Sequence, residues 1–143
     1  MDNYNESLDL VMLVDDDNTT NYLNERLLNE MQVAKEIVVM KNGKEAIEYL
    51  KSAAVGKDGL KSPDLIFLDI KMPVMDGFSF LDAYQKEGLD MTDQVIILML
   101  TSSASFYDLE RLRNYKKVKQ HFSKALTKHD VREIMKEYFS SRA

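Results

Sequence analysis

The fold of this protein is decided by residues 64–77, which read DLIFLDIKMPVMDG. Residues 65–68 form a short, continuous apolar run, which is typical of a parallel strand buried on both faces of a sheet. The run ends at Asp69, and a loop must follow, because the residue before Pro73 is kept out of helical geometry. This loop closes at Asp76. Asp69 is therefore predicted at the carboxyl end of a strand, where open α/β sheets bind their ligands.

The same alternation of apolar runs and helical patterns extends over the rest of the chain. Four more strands are predicted, over residues 8–14, 36–40, 95–100 and 118–123. A helix is predicted after each of the five strands. The apolar residues that recur at helical spacing are Tyr22, Leu23, Leu27 and Met31; Ala46, Ile47 and Leu50; Phe78, Leu81 and Tyr84; Phe106, Leu109 and Leu112; and Val131, Ile134, Met135 and Tyr138.

Local signals place several helix ends. Asp17 or Asn18 can cap the first helix. Asn42-Gly43 could form a hairpin, but Glu45 three residues after Asn42 favours a capped helix. Gly88 is predicted to end the third helix. Thr127 with Asp130 reads as a capping box for the last helix.

Five successive strand–helix units predict an α/β fold. Right-handed crossovers place helices on both faces of a parallel sheet. At 143 residues, the arrangement is either a fragment of a larger fold or a flavodoxin-like, doubly wound five-stranded sheet in order 2-1-3-4-5 with five helices. The flavodoxin-like sheet requires no element beyond the five predicted strand–helix units. We therefore expect one domain over residues 1–143, with polar tails at residues 1–7 and 140–143.

Composition excludes several classes of function. The net charge of −5, from 19 basic and 24 acidic residues without a long basic block, argues against nucleic-acid binding. The absence of cysteine excludes disulfides and thiolate metal sites and fits a reducing compartment. Residues 1–7 are polar and acidic, unlike a signal peptide. The longest apolar run, residues 95–100, falls far short of the roughly 18 residues that suggest a membrane span. A cytoplasmic protein without membrane attachment is expected.

Four strand ends carry residues suited to chemistry. Acidic residues Asp15 and Asp16 follow the first strand, and Asp69 follows the third. In the predicted strand order these two strands are neighbours, so the three carboxylates should lie close together. Clustered carboxylates repel one another unless a proton or cation is bound, and oxygen ligands alone favour Mg²⁺. Thr101 and Lys124 follow the fourth and fifth strands with a hydroxyl and an ammonium.

This set matches the needs of phosphoryl transfer onto a carboxylate. Asp69 would be the nucleophile, the acidic pair would hold the metal, and Thr101 and Lys124 would bind phosphoryl oxygens. Taken singly, each residue has an ordinary explanation as a helix cap, a turn residue or a surface charge. Helix capping does not require an acid pair, an acid, a hydroxyl and a lysine on four strand ends. Their joint occurrence therefore favours a functional site.

The constellation resembles the receiver domain of two-component response regulators. The motifs are VDDD at residues 14–17, LDIKMP at 68–73 with Asp-Gly at 76–77, LTS at 100–102 and FSK at 122–124. The resemblance covers residues 8–139. It implies a signalling domain that accepts a phosphoryl group from a phosphohistidine on a sensor histidine kinase or a histidine phosphotransfer protein.

Carried over position by position, the resemblance makes Asp69 the phosphoacceptor. Asp16 would bind Mg²⁺ directly, Asp15 would act largely through water, and the main-chain carbonyl of Lys71 would be a further ligand. Thr101 and Lys124 would bind the phosphoryl group and respond to its arrival. The residues two positions beyond Asp69 and Thr101 would tune hydrolysis; they are Lys71 and Ser103.

Two residues depart from the family pattern. Lys124 precedes Ala125, whereas the family has a proline there after a cis peptide bond. Because non-proline cis bonds are rare, either the bond is trans with a different loop, or it is cis. His121 occupies the place of the family's aromatic switch residue. It is either a surface residue without a role or a switch coupled to Thr101.

We therefore expect a stand-alone receiver that is no enzyme beyond self-phosphotransfer and autodephosphorylation. Its output would pass to another protein through the surface of the fourth helix, fifth strand and fifth helix. Tyr107, Arg113, Tyr115 and Phe122 are expected on this surface, although Phe122 could equally belong to the core. The domain would be a monomer or a weak homodimer.

Three other functions fit the sequence less well. Asp15-x-Asp17-x-Thr19 resembles the first motif of haloacid-dehalogenase phosphatases, with Asp15 as nucleophile and Asp17 as general acid. That family also needs an acidic pair after Lys124, which is missing, and it leaves the Asp69 motif unexplained. A receiver-like adaptor that is never phosphorylated is favoured only by Ala125. A flavodoxin would need a phosphate-binding loop where this chain has an acidic run.

Overall fold

The computed structural model describes residues 7–92, 95–102 and 105–140. Within them, five parallel strands form one sheet in the order β2-β1-β3-β4-β5. The strands are Leu8–Val14 (β1), Ala34–Met40 (β2), Leu65–Leu68 (β3), Ile96–Thr101 (β4) and Val118–Ser123 (β5). The longer helices are Asn18–Glu30 (α1), Gly43–Ala54 (α2), Gly77–Lys86 (α3), Phe106–Leu112 (α4) and Lys128–Phe139 (α5). Short helical turns occupy Lys57–Gly59 and Leu89–Thr92. The predicted flavodoxin-like fold with five helices is confirmed.

The sheet lies between two layers of helices. Its side chains alternate between two apolar clusters, as successive residues of a strand point to opposite faces. Ile66 and Leu68 of β3 belong to the cluster that includes α2, α3 and α4. Leu65 and Phe67 belong to the cluster that includes α1 and α5. All four are at most 2% exposed, which explains why β3 reads as an unbroken apolar run.

Short-range capping explains where the helices begin. The side chains of Asp17, Asn42 and Asp76 each accept a hydrogen bond from a main-chain N–H in the first turn of α1, α2 and α3. Thr127 forms the predicted capping box with Asp130 at α5. At α4 the cap is Ser105, so Thr101 does not serve as its cap. After α3, Gly88 adopts a left-handed conformation with φ of +72°, which favours glycine.

The predicted apolar face of α1 is wrong in its first half. Tyr22 and Leu23 are 62% and 45% exposed, whereas Asn21 and Asn24 are buried. The inner side of α1 meets the loops that follow β1 and β5, and these loops present main-chain polar groups. Amide side chains satisfy those groups and an apolar side chain cannot, so the polar residues face inward.

Two aromatic residues also differ from expectation. Phe106 was expected to point inward from α4 but is 79% exposed, since α4 lies beside the edge strand β5 and its first turn is uncovered. Tyr115 was expected on the exposed output surface but is buried. Its ring lies 6.0 Å from that of Phe78, and its hydroxyl donates to Asp82. Phe122 is half-buried and packs against the core, which agrees with the prediction that it belongs to the core.

In the three described ranges of the chain, no helix has the length and apolar character needed to cross a lipid bilayer.

Candidate functional site

The carboxyl ends of β1, β3, β4 and β5 meet at one edge of the sheet. Asp15, Asp69 and Thr101 stand there, only 4%, 4% and 6% exposed, while Asp16 is exposed. One carboxylate oxygen from each of Asp15, Asp16 and Asp69 lies within 4.8 Å of the others. The structure thus brings together the three acidic residues that the strand order predicts to be neighbours.

Main-chain hydrogen bonds tie each of these positions to the neighbouring strand. The N–H of Asp15 donates to the carbonyl of Met40 at 3.0 Å, and that of Asp69 donates to Val14 at 3.0 Å. These bonds continue the ladder one residue past β1 and β3. Each acidic residue is consequently held by the sheet, although it lies just beyond its strand.

Lys124 lies between the two buried carboxylates. Its Nζ is 2.8 Å from Asp15 Oδ2 and 3.1 Å from Asp69 Oδ2, and its side chain is 12% exposed. Its N–H donates to the carbonyl of Thr101 at 3.2 Å. Of the two alternatives for the Lys124–Ala125 peptide, the structure has the cis bond. Lys124 reaches both buried carboxylates with alanine at the position where the family has proline.

Burial and charge act in opposite directions at this site. Burial raises the pKa of Asp69, and the negative charge of Asp15 raises it further, while Lys124 works against both. For Lys124, burial by itself lowers the pKa, but hydrogen bonds and attraction from Asp15 and Asp69 outweigh it and leave the pKa raised. The pKa of Asp69 is raised overall, because burial and the charge of Asp15 outweigh the attraction of Lys124.

Asp17 is occupied by helix capping. Its Oδ1 accepts from the N–H of Thr19, and its Oδ2 accepts from the hydroxyl of Thr20. The hydrogen bond from Thr20 is the main reason that the pKa of Asp17 is lowered. Because both carboxylate oxygens of Asp17 accept hydrogen bonds from the first turn of α1, the geometry does not support the general-acid role of the phosphatase hypothesis.

The loop between β3 and α3 is pinned by two glycines. Gly77 donates its N–H to the carbonyl of Ile70 at 2.8 Å, and Gly43 at the start of α2 donates to that of Met75 at 3.0 Å. A β-carbon on Gly43 would come within 2.8 Å of Met75, so only glycine allows this approach. Lys71 lies in the same loop, two residues after Asp69, and is exposed.

Two buried amides of α1 were missed at the sequence level. Asn21 Nδ2 donates to the carbonyl of Asp15 at 2.9 Å, while Asn21 Oδ1 is buried without a hydrogen-bond partner in the described part of the chain. Asn24 Oδ1 accepts from the N–H of Leu126 at 3.1 Å. The available signal was spacing, since positions 21, 24, 28 and 31 share one helical face.

Other predicted residues take different places. His121 is exposed on β5. Tyr107 lies on α4 and Arg113 just after it, and both are exposed. Ser103, a predicted tuning residue, lies outside the described residues.

The amino-acid sequence of this chain matches that of a known protein family. The sequence profile of the response regulator receiver domain matches residues 11–136. This chain belongs to that family. It is a receiver domain of a two-component response regulator, and receiver domains are signalling domains, which overturns the phosphatase and flavodoxin alternatives.

Individual relatives agree with this assignment. The receiver is 27% identical over 133 residues to a probable methanogenesis regulatory protein, FilR2, of Methanothrix harundinacea (strain 6Ac), covering 91% of this chain and 83% of that protein. It is also 34% identical over 102 residues to a protein-glutamate methylesterase/protein-glutamine glutaminase of Desulfotalea psychrophila (strain LSv54 / DSM 12343). That match covers 71% of this chain but only 26% of the other protein.

Among solved structures, a two-component response regulator from Cytophaga hutchinsonii superposes on the receiver with a TM-score of 0.82. The two are 26% identical, and the superposition covers 94% of this chain and 98% of that one.

Proposed function

We propose that Asp69 accepts a phosphoryl group from a phosphohistidine of a sensor histidine kinase or a histidine phosphotransfer protein. The observation that carries the proposal is the buried Asp69 carboxylate, 3.1 Å from Lys124 Nζ and beside Asp15 and Asp16. Family membership supports the same role, because residues 11–136 match the receiver profile. The domain then acts as a cytoplasmic switch, as a monomer or weak homodimer.

In the proposed reaction, a carboxylate oxygen of Asp69 bonds to phosphorus as the P–N bond of the phosphohistidine breaks. The imidazole keeps the electron pair of that bond and takes up a proton from water. Lys124 would turn from Asp69 Oδ2 to a phosphoryl oxygen, and the Thr101 hydroxyl would be the second donor. Later hydrolysis of the acyl phosphate returns Asp69 to its free form, with Lys71 and Ser103 tuning the rate.

The donor set fits Mg²⁺, because it consists of oxygen atoms with no His or Cys among them. Asp16, Asp69 and the main-chain carbonyl of Lys71 would hold the ion directly. Both oxygens of Asp15 already accept hydrogen bonds, Oδ1 from the N–H of Asp17 and Oδ2 from Lys124. Asp15 would consequently contact the ion through water. When bound, Mg²⁺ spreads the negative charge of the phosphoryl group in transfer.

The phosphorylated state would be sensed by a partner protein at the surface formed by α4, β5 and α5. Phe106 and Tyr107 on α4 are 79% and 74% exposed, and exposed aromatic residues are common anchors of protein interfaces. Arg113 and His121 add polar groups to this surface. A swing of His121 coupled to Thr101 is one route by which phosphorylation would change it.

Intact-mass spectrometry after incubation with acetyl phosphate tests this function. The wild-type protein should gain one labile phosphoryl adduct that depends on Mg²⁺, and Asp69→Asn should gain none. Asp58→Asn, which changes an exposed aspartate in the turn Lys57–Gly59 and outside the motifs, should behave as wild type.

Two outcomes would contradict the proposal. An adduct that survives Asp69→Asn but disappears in Asp15→Asn would move the nucleophile to Asp15. No adduct on any variant, alongside a phosphorylatable control protein, would leave an adaptor that works by binding alone.

A further inference from the structure

Asn24 joins α1 to the loop that carries Lys124. The hydrogen bond from the N–H of Leu126 to Asn24 Oδ1 is 3.1 Å long and links positions 102 residues apart. Asn24 is 2% exposed and Leu126 is 7% exposed. Burying an amide group costs free energy unless the group is hydrogen-bonded. Asn24 faces the core, so its side chain needs a hydrogen-bond partner such as the Leu126 N–H.

Leu126 needs an acceptor for its N–H. It lies after the end of β5 at Ser123 and before Thr127, the cap of α5. Its N–H therefore falls outside the regular hydrogen bonding of both elements. Leaving such a buried donor without an acceptor destabilises the fold. Asn24 supplies the acceptor and so fixes the main chain two residues after Lys124.

The backbone of Lys124 is therefore supported on both sides. Upstream, its own N–H donates to the carbonyl of Thr101 at 3.2 Å. Downstream, the loop is held through Leu126 and Asn24. A lysine side chain has many accessible rotamers, so its Nζ stays between two carboxylates only if its backbone is well placed.

Helix α1 also holds Asp15, which forms an ion pair with Lys124. Asn21, one turn earlier on α1, donates from Nδ2 to the carbonyl of Asp15 at 2.9 Å. Asn21 and Asn24 line one small space together with Asp15 and Asp69. One helix face thus sets the relative position of the loops after β1 and β5.

We propose that Asn24 is a positioning residue for phosphotransfer: it holds the β5–α5 loop so that Lys124 Nζ remains between Asp15 and Asp69. The inference rests on the proposed function of Asp69 and adds a residue that acts through Lys124 instead of on the phosphoryl group. Phosphoryl transfer requires Lys124 Nζ to stay beside Asp69, because a displaced ammonium stabilises the transferring phosphoryl group poorly.

Three variants separate positioning from simple stability. Asn24→Leu keeps a similar volume in the core but removes the acceptor of the Leu126 N–H. Asn29→Leu, at an exposed position on the same helix, is the matched control. Lys124→Met keeps the stem of the lysine without its ammonium. If Asn24→Leu does not fold in a urea titration, Asn24→Ser replaces it throughout.

The rate of phosphorylation by saturating acetyl phosphate should fall about 10- to 100-fold in Asn24→Leu, because small displacements near a reacting group have effects of this size. Mg²⁺ affinity should stay near the wild-type value, and Asn29→Leu should match wild type in both. Adding Asn24→Leu to Lys124→Met should produce no further fall in rate, since residues that act through one group are non-additive. An additive fall would overturn the proposal.

An NMR order parameter of the Lys124 side chain in the unphosphorylated protein gives an independent measurement. It should drop in Asn24→Leu and stay unchanged in Asn29→Leu. An unchanged order parameter in Asn24→Leu would overturn the positioning role. Because this measurement needs no phosphoryl group, it decides the role of Asn24 even if Asp69 proves not to be the acceptor.

Discussion

Asp69 and Gly77 are in contact through their main chains: a β-carbon added to Gly77 would overlap the carbonyl oxygen of Asp69 and come within 3.0 Å of the Ile70 Cα. Gly77 is also the first residue of α3. The start of this helix therefore sets the path of the backbone just after Asp69. Any side chain at position 77 must push the two segments apart.

Gly77→Ala should lower the free energy of unfolding by about 1–3 kcal/mol, because backbone atoms cannot rotate away from an added methyl group. The better helix propensity of alanine opposes this loss by only about 1 kcal/mol. Urea denaturation measures the difference. Ser79→Ala, an exposed position in the same helical turn, should change stability by less than about 0.5 kcal/mol. If Gly77→Ala and Ser79→Ala change the free energy of unfolding equally, the main chain near Asp69 moves away from the added methyl group without loss of stability.

Val74→Asn should stabilise the protein. Val74 has a φ of +67° and is 80% exposed, and left-handed geometry costs a residue with a β-carbon about 1–2 kcal/mol. Asn tolerates this geometry better, so the free energy of unfolding should rise by about 1 kcal/mol. Val55 is also 80% exposed but has a φ of −99°, so Val55→Asn should gain nothing in urea denaturation. A similar gain at both positions would point to surface hydrophobicity instead.

Mg²⁺ should raise the midpoint of thermal unfolding of the wild-type protein, and chelation should reverse the shift. A ligand at 100 times its Kd stabilises the folded state by about 2.7 kcal/mol. Asp16→Asn removes an exposed carboxylate from the acidic cluster and should reduce the shift at any one Mg²⁺ concentration. Asp58→Asn should keep the full shift. If Asp16→Asn responds to Mg²⁺ as wild type does, the ion is bound elsewhere.

Tyr115 should make stability dependent on alkaline pH. Its hydroxyl donates to Asp82 Oδ1 at 2.8 Å, and burial, followed by Asp82, raises its pKa. A raised pKa means that folding favours the neutral phenol. The contribution of Tyr115 to the free energy of unfolding is complete below the pKa of tyrosine in the unfolded chain, about 10. It is lost as the pH rises above that value and through the higher pKa of the folded state.

Comparison with Tyr115→Phe isolates this contribution. Below pH 10 the wild type should be more stable by about 1 kcal/mol, and the difference should shrink at higher pH. Urea denaturation between pH 8 and 11 measures it, with the exposed Tyr107→Phe as control. A constant difference across this range would mean that Tyr115 contributes packing alone.

Features determined within a few residues could be predicted from the sequence. The strand Leu65–Leu68 and the caps Asn42 and Thr127 depend on neighbours no more than four positions away, and the structure has them where they were expected. Parallel crossovers of fixed hand then led from this order of elements to the sheet order. The same sheet order brought Asp15 and Asp69 to adjacent strand ends.

Features that depend on distant partners could not be predicted in this way. Helical periodicity pointed to Tyr22 and Leu23 as the inner residues of α1, and it could not show that a main-chain donor 102 residues from Asn24 would meet that helix. Likewise, Tyr115 is buried because Phe78 and Asp82 of α3 receive it.

By itself, the sequence determined the order of strands and helices, the family, and the residue types at the strand ends, because burial patterns and caps are local. Only the tertiary structure decided that Lys124 reaches Asp15 and Asp69 with Ala125 in place of proline, and that amides of α1 hold the loops involved. The physical reason is that a buried polar group is stable only when its partners are present, and these partners come from separate parts of the chain.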